Sequence, residues 1–209
     1  MLIKWLGYSY FRIDTQGKTI AIDPYTFSLT GIRPPRCQAD ILLLSHPLET
    51  QSEKIILGDP FLLVGPGEIE RGGIFIEGIV SSSNYQEDPS LLNTIYLIES
   101  EDIVIAHLGH LKKKKLRESV LEKVSRADIL LLPIGGHGAL NAEEAMSISN
   151  QIEPKIIIPM NYSLPGSKIK LDSLDKFIKM FEKKPERLSK LSIKKNKLPS
   201  ETELIILEK

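Results

Sequence analysis

The sequence predicts an α/β fold, a layered sandwich of strands and helices, and three observations carry that prediction. Short strand-like apolar runs crowd the first half of the chain. In the second half, helical periodicity alternates with buried-strand runs. No linker-like or low-complexity stretch interrupts the 209 residues, so residues 1–209 read as a single domain. Strands first and strand–helix alternation later leave many strands covered on both faces, which suits a layered sandwich better than a plain open sheet.

The elements follow in order. "MLIKWLGYSYFRID" and "KTIAIDPY" read as two β-like runs separated by "TQG", a hairpin signal. "DILLLSH", "PFLLVGPGE", "GIFIEGIVSS", "NTIYLIES" and "DIVIAHLG" read as further strands, mostly bounded by Gly, Pro, Asn or Asp. Ile41–Leu44 is apolar without a break, as a strand covered on both faces should be. "YLIESEDIVIAH" predicts a hairpin turning at Ser100–Asp102. "GPGE" at 65–68 lacks the Lys and Ser/Thr of a phosphate loop and reads as a turn. From Leu111 to Val124, Leu116, Val120, Leu121 and Val124 share one helical face, which makes "LKKKKLRE" the solvated side of a helix. "ADILLLPIGG" is a buried strand. Asn141 and Glu144 form a capping-box signature that opens a helix running to about Ile152 and closed by Pro154. "KIIIPMNY" is the next strand. Leu171, Leu174, Phe177, Ile178 and Phe181 mark an amphipathic helix ending before Pro185, and "ETELIILE" supplies the last strand.

Composition narrows the function classes. The chain is 42% hydrophobic and 26% charged, with 27 basic against 27 acidic residues, so no overall charge draws it to nucleic acid or to a membrane surface. Cys37 is the sole cysteine, which excludes an intrachain disulfide and a Cys-based zinc site. The N-terminal run lacks the basic start and unbroken apolar stretch of a signal peptide, and no run reaches the roughly 18–20 apolar residues of a membrane span. A cytoplasmic protein with no membrane partner is expected. Residues 168–197 hold 11 Lys/Arg against four Asp/Glu, yet few aromatics for stacking bases, so nucleic acid is not the expected partner.

Several segments together carry a family resemblance. "IKWLGYSYFRID", "IAIDPY", "ADILLLSH", "GPGEIERGGIFIEGI", "NTIYLIE", "AHLGHL", "ADILLLPIGG", "AEEA" and "IEPKIIIPMNY" occur in this order over nearly the whole chain. The chain resembles the metallo-β-lactamase superfamily, specifically its short branch similar to ascorbate-6-phosphate lactonase and related metal-dependent hydrolases. The resemblance implies an αββα sandwich: two facing mixed β-sheets, helices outside, and an active site along one edge where the sheets meet.

The resemblance also implies a ligand set, and this sequence departs from it. The His-x-His-x-Asp-His motif that follows the strand matching Ile41–Leu44 falls on His46, Leu48, Thr50 and Gln51, with Glu49 one place from the Asp position. A His-Asp pair corresponds to "SSSNYQED", near Ser83 and Asn84. The bridging Asp corresponds to His110, and the His of a Pro-Met-His-Tyr segment to Asn161. Asp23 in "IAIDPY" matches a family aspartate near the metals, while also reading as an ordinary Asp-Pro turn starter. Of the usual ligands, His46 alone survives in this count. Catalytic zinc takes about three protein ligands, so loss of the two-metal site, and of ordinary hydrolase activity with it, is the expectation, with no cofactor. What remains is a polar cleft of His46, His110, Asn161, Asp23 and, from the Gly-rich "IGGHGAL" turn, His137. It could take a small anionic ligand, and homo-oligomerisation is left open. The alternative is a hydrolase of a phosphoester or lactone with a rearranged one-metal site holding zinc or manganese, built from His46, His110 and a carboxylate such as Glu49 or Asp23. His107, at the end of "DIVIA", reads as structural. No serine triad is expected, because Ser45 and His46 are strand neighbours and should point to opposite faces.

Overall fold

A computed structural model describes residues 1–46, 55–81, 92–112 and 114–209 of the chain. The strands are β1 (Leu2–Gly7), β2 (Tyr10–Thr15), β3 (Lys18–Ile22), β4 (Cys37–Gln38), β5 (Ile41–Leu44), β6 (Ile56–Leu57), β7 (Phe61–Val64), β8 (Gly67–Glu70), β9 (Phe75–Val80), β10 (Thr94–Ser100), β11 (Ile103–His107), β12 (Ile129–Pro133), β13 (Ile156–Met160), β14 (Glu186–Leu188), β15 (Leu191–Ser192) and β16 (Glu203–Leu207). The helices are α1 (Phe27–Thr30), α2 (Glu118–Val124), α3 (Ala142–Ile152) and α4 (Leu174–Ile178).

Two mixed sheets face each other. One has the order β15-β1-β2-β3-β5-β7 and the other β14-β16-β13-β12-β11-β10-β9-β8, with β4 and β6 as a small separate pair. Alternation along β1 and β2 sends Ile3, Trp5, Phe11 and Ile13 into the space between the sheets, where they join Leu97, Ile105, Leu131 and Ile158 of the second sheet in one core. Burying each such side chain stabilises the fold by about 1.5–3 kcal/mol. Helix α3 packs on β12 and is flanked by α2 and α4, which gives the eight-stranded sheet its outer layer.

The six-stranded sheet is covered differently. Its outward residues Tyr8, Tyr10 and Ala21 form a second cluster with Tyr25, Cys37, Ala39 and Ile55. The chain between β3 and β5 supplies much of this cover with only the four-residue α1. Pro24, Pro34, Pro35 and Gly31 explain why no longer helix forms there.

Other elements also depart from the sequence expectation. The opening run is two strands, not one, because the chain reverses at Gly7 (φ 111°) and Tyr8 (φ 51°). The "GPGE" stretch turns at Gly65–Pro66, but Gly67 and Glu68 already belong to β8. Helix α2 starts only at Glu118, so the lysine run precedes a helix and is not its solvated face. Helix α4 covers only Leu174–Ile178. The Asn141–Glu144 capping box is present in both directions, and β10 and β11 turn at Glu101–Asp102 as expected. Among the described residues no helix is long and apolar enough to cross a membrane.

Strand direction places the site. Strands β3, β5 and β7 run parallel, as do β11, β12, β13 and β16. Asp23, Ser45–His46, His107–His110, His137 and Asn161 all lie at or beyond the carboxyl ends of these strands, where ligands bind in open α/β sheets. Backbone bonds tie the two sheets together at this edge: Thr94 N–H to Ser45 O at 2.7 Å, and Asn161 N–H to Tyr8 O at 3.0 Å.

Candidate functional site

Asp23 is the first residue beyond β3. Its N–H donates to Leu43 O at 3.0 Å, which extends the β3–β5 ladder by one step and sets Asp23 beside the end of β5. Its φ of 48° turns the chain into Pro24, a conformation Asp tolerates better than most residues. Ser45 engages both carboxylate oxygens: its N–H donates to Oδ1 at 2.7 Å and its hydroxyl to Oδ2 at 2.6 Å.

Ser45 also reaches His46, with Oγ and Nδ1 3.0 Å apart. The serine has one proton and gives it to Asp23, so His46 Nδ1–H is the donor in this second contact and Nε2 keeps its lone pair. The strand-neighbour argument against a Ser45–His46 contact therefore fails, because β5 ends at Leu44 and alternation lapses where the chain bends. The resulting order, Asp23–Ser45–His46, is not a nucleophilic triad. The hydroxyl proton goes to the carboxylate instead of a general base, and Ser45 is fully buried.

His110 approaches from the other sheet. The imidazole rings of His46 and His110 meet edge to face, centroids 4.2 Å apart. His110 is held by its backbone, whose N–H donates to Asn93 Oδ1 at 2.6 Å, while Asn93 Nδ2 donates to Ser81 Oγ and Leu108 O. The turn needs glycine at 109: a Cβ there would lie 2.4 Å from Asn93 Oδ1 and 2.8 Å from Ser45 Oγ, at a φ of 59°. His110 as a residue is partly exposed, yet its imidazole Nδ1 is enclosed and has no hydrogen-bond partner among the described residues. Burial, and then the neighbouring His46, push its pKa down to about 3, so the ring is neutral near pH 7.

His107 is fully buried behind this pair. Its Nε2 donates to Ser9 O at 3.0 Å and its Nδ1 accepts from Gly109 N–H at 3.1 Å. Both ring nitrogens are thus committed to backbone, in keeping with a structural role. Burial lowers its pKa, and although Nδ1 lies 3.9 Å from Asp23 Oδ2, the neutral ring makes no ion pair there.

Ligand atoms of Asp23, His46 and His110 all lie within 4.8 Å of one another. His46 is the one imidazole at a usual family position, yet two imidazoles and a carboxylate converge, the donor types of the one-metal alternative. Donors around a bound zinc sit roughly 3–4 Å apart, so at most a small closure would seat an ion. The donor chemistry fits a single transition-metal ion with open positions, and the orphaned Nδ1 of His110 fits the same role. Among the described residues no further carboxylate, His or Cys joins the group.

The other expected cleft residues follow β12 and β13. Asn161, buried after β13, packs its carbonyl against Gly135, where a Cβ would lie 2.0 Å from Asn161 O. Exposed His137 sits in its turn at φ 49°. Among the described residues neither makes a hydrogen bond or ion pair with Asp23, His46 or His110. Leu48, Glu49, Thr50, Gln51, Ser83 and Asn84 lie outside the described residues. Sequence reasoning missed Ser45 and Asn93. Ser45 was signalled by its place just past a strand end, but Asn93 carries no local signal.

Comparisons with known proteins identify the family and the fold. A family model described as a beta-lactamase superfamily domain matches residues 2–161. A UPF0173 metal-dependent hydrolase of Pyrococcus horikoshii is 32% identical over 195 residues, 77% of this chain and 84% of the relative. A UPF0173 protein of Pyrococcus abyssi is 28% identical over 186 residues, 79% of this chain and 85% of the relative. Among solved structures, a candidate Zn-dependent hydrolase of the metallo-β-lactamase superfamily from Thermotoga maritima superimposes with a TM-score of 0.83 at 28% identity, covering 100% of both chains. An isothiocyanate hydrolase from Delia radicum gut bacteria, at 12% identity and a TM-score of 0.62, shares the fold over 86% of this chain and 91% of its own.

Proposed function

Because the chain belongs to the metallo-β-lactamase superfamily, among the UPF0173 metal-dependent hydrolases, we propose that it is a hydrolase whose two-metal site has been reduced to a single-cation centre formed by Asp23, His46 and His110. One observation carries this reading: the three donor groups lie within 4.8 Å of one another, with His110 Nδ1 enclosed and unpartnered. An unsatisfied buried nitrogen costs about 1–3 kcal/mol, and a bound cation removes that cost.

Each residue has a distinct task. His46 presents Nε2, because its Nδ1–H is engaged by Ser45. His110 presents Nδ1 and stays neutral, so its lone pair is available near pH 7. Asp23 brings the negative charge, held in place by both donors of Ser45. A zinc or manganese ion held by these groups would supply Lewis acidity and a bound water of lowered pKa. The setting would be cytoplasmic, and the bond cleaved, phosphoester or lactone, is left open by these residues.

Equilibrium titration with zinc and manganese tests the reading. Wild-type protein should bind tightly, and His46→Ala and His110→Ala should each lose both the bound ion and any hydrolytic activity; activity kept in both variants would overturn it. A second reading, a metal-free polar cleft without hydrolase activity, draws support from Asp23, whose two oxygens are already taken up by Ser45. It predicts no saturable binding of either ion by the wild-type protein.

A further inference from the structure

The chain between Asp23 and β5 forms a second feature that the cation centre does not use. A cavity of about 470 Å³ is lined by Phe27, Arg33, Pro34, Arg36 and Ile55. Its walls are fixed by backbone: Cys37 N–H bonds Ile55 O at 3.0 Å, so Arg36 and Ile55 are held together where β4 meets β6. Two consecutive prolines between the arginines limit backbone freedom, and the Gly31 C-cap ends α1 two residues before Arg33.

Among the described residues the charge here is of one sign and unpaired. Arg33 and Arg36 are exposed, and neither forms an ion pair among the described residues. A third cation stands close by. Lys168 donates its N–H to Thr30 O at 2.8 Å, lays its side chain over Gly31, and brings Nζ to 5.7 Å from the Phe27 ring. Elsewhere on this surface exposed cations do find carboxylates, as Lys183 finds Glu201 and Arg187 finds Glu208. Two guanidinium forks beside an aromatic ring, with no carboxylate paired to them among the described residues, form a place for an oxyanion attached to an apolar body.

We propose that this cavity is a binding site for a small organic anion, its carboxylate or phosphate headgroup held by Arg33 and Arg36 and its apolar part lying against Phe27, Pro34 and Ile55. The volume suits a small molecule. The site is distinct from the Asp23–His46–His110 group and does not depend on that group holding a cation.

Calorimetric titration tests it with benzoate and phenylphosphonate as the two headgroup arms, and with inorganic phosphate and phenol as controls. Wild-type protein should bind at least one organic anion saturably and about tenfold or more tighter than either control, and the tighter arm identifies the headgroup. An Arg33→Gln/Arg36→Gln variant should lose about tenfold or more of that affinity while keeping its thermal midpoint and its zinc binding. His46→Ala should keep the anion affinity. No saturable binding of either organic anion, or equal affinity in wild type and the arginine variant, would overturn the proposal. So would loss of binding in His46→Ala with the arginine variant unaffected, since the anion would then sit at the cation centre.

Discussion

Ser45 satisfies both oxygens of Asp23, its N–H at 2.7 Å from Oδ1 and its hydroxyl at 2.6 Å from Oδ2. The same hydroxyl oxygen accepts from His46 Nδ1 at 3.0 Å, so one side chain fixes the carboxylate and the imidazole tautomer together. Ser45→Ala should therefore weaken zinc affinity about 10- to 100-fold and shift the ¹⁵N resonances of the His46 ring, which report its tautomer. Ser45→Thr, which keeps the hydroxyl, should restore much of both. Unchanged affinity and unchanged ring resonances in Ser45→Ala would deny the serine this role.

Gly109 sits against both Asn93 and Ser45. A methyl group there strikes Asn93 Oδ1 and Ser45, and the backbone φ of 59° adds strain. Gly109→Ala should destabilise the fold by about 2–4 kcal/mol in denaturant titration. Gly17→Ala, at a similar φ of 68° with nothing within 4 Å of its Cβ, should cost only about 1 kcal/mol. Equal costs would mean that the packing around Gly109 yields easily.

Two buried imidazoles make the metal-free protein acid-sensitive. Folding lowers the pKa of His107, chiefly by burial, and takes that of His110 to about 3. Below the unfolded histidine value of about 6.5 the unfolded chain binds protons that the native state refuses, so stability falls as pH falls. The slope can reach about 1.4 kcal/mol per pH unit for each histidine. The window opens near pH 6.5 and, for His110, extends down to about 3. Thermal midpoints measured in chelator should drop through this range, and less steeply in His110→Asn. Midpoints that stay level from pH 7 to 4 would contradict the burial of both rings.

Tyr96 ties the sheets together below the site. Its hydroxyl lies 2.9 Å from Leu44 O, 3.1 Å from Gly65 O and 3.2 Å from Leu63 O. Tyr96→Phe should cost about 1–3 kcal/mol, because the one hydroxyl proton these buried carbonyls share is lost. Denaturant midpoints at constant slope measure this, and an unchanged midpoint would mean that water replaces the hydroxyl.

Elements whose signals are local were legible in the sequence. Asn141 and Glu144 announce α3 because a capping box is complete within four residues. The turn between β10 and β11 sits within the polar "SED" between two apolar runs. The start of α2 was hidden, since Leu116 keeps helical spacing with Val120 although the helix begins only at Glu118. Site residues with chemical character, His46, His110 and Asp23, stood out through the family resemblance, which also implied one shared cleft, but the geometry that joins them was not legible. It depends on the parallel register Ile22 to Leu43, which joins Asp23 to Ser45, and on Asn93 fixing the turn before His110 from across 17 residues. Such pairings are tertiary and leave no mark on the local pattern.

Elemental analysis of protein purified without chelators, paired with the same assay on His46→Ala, bears most directly on the cation centre. About one equivalent of zinc, manganese or iron per wild-type chain, absent from the variant, is the result expected of a three-donor site. Wild-type protein that stays metal-free even after incubation with excess zinc and manganese, or that carries two equivalents, would contradict it.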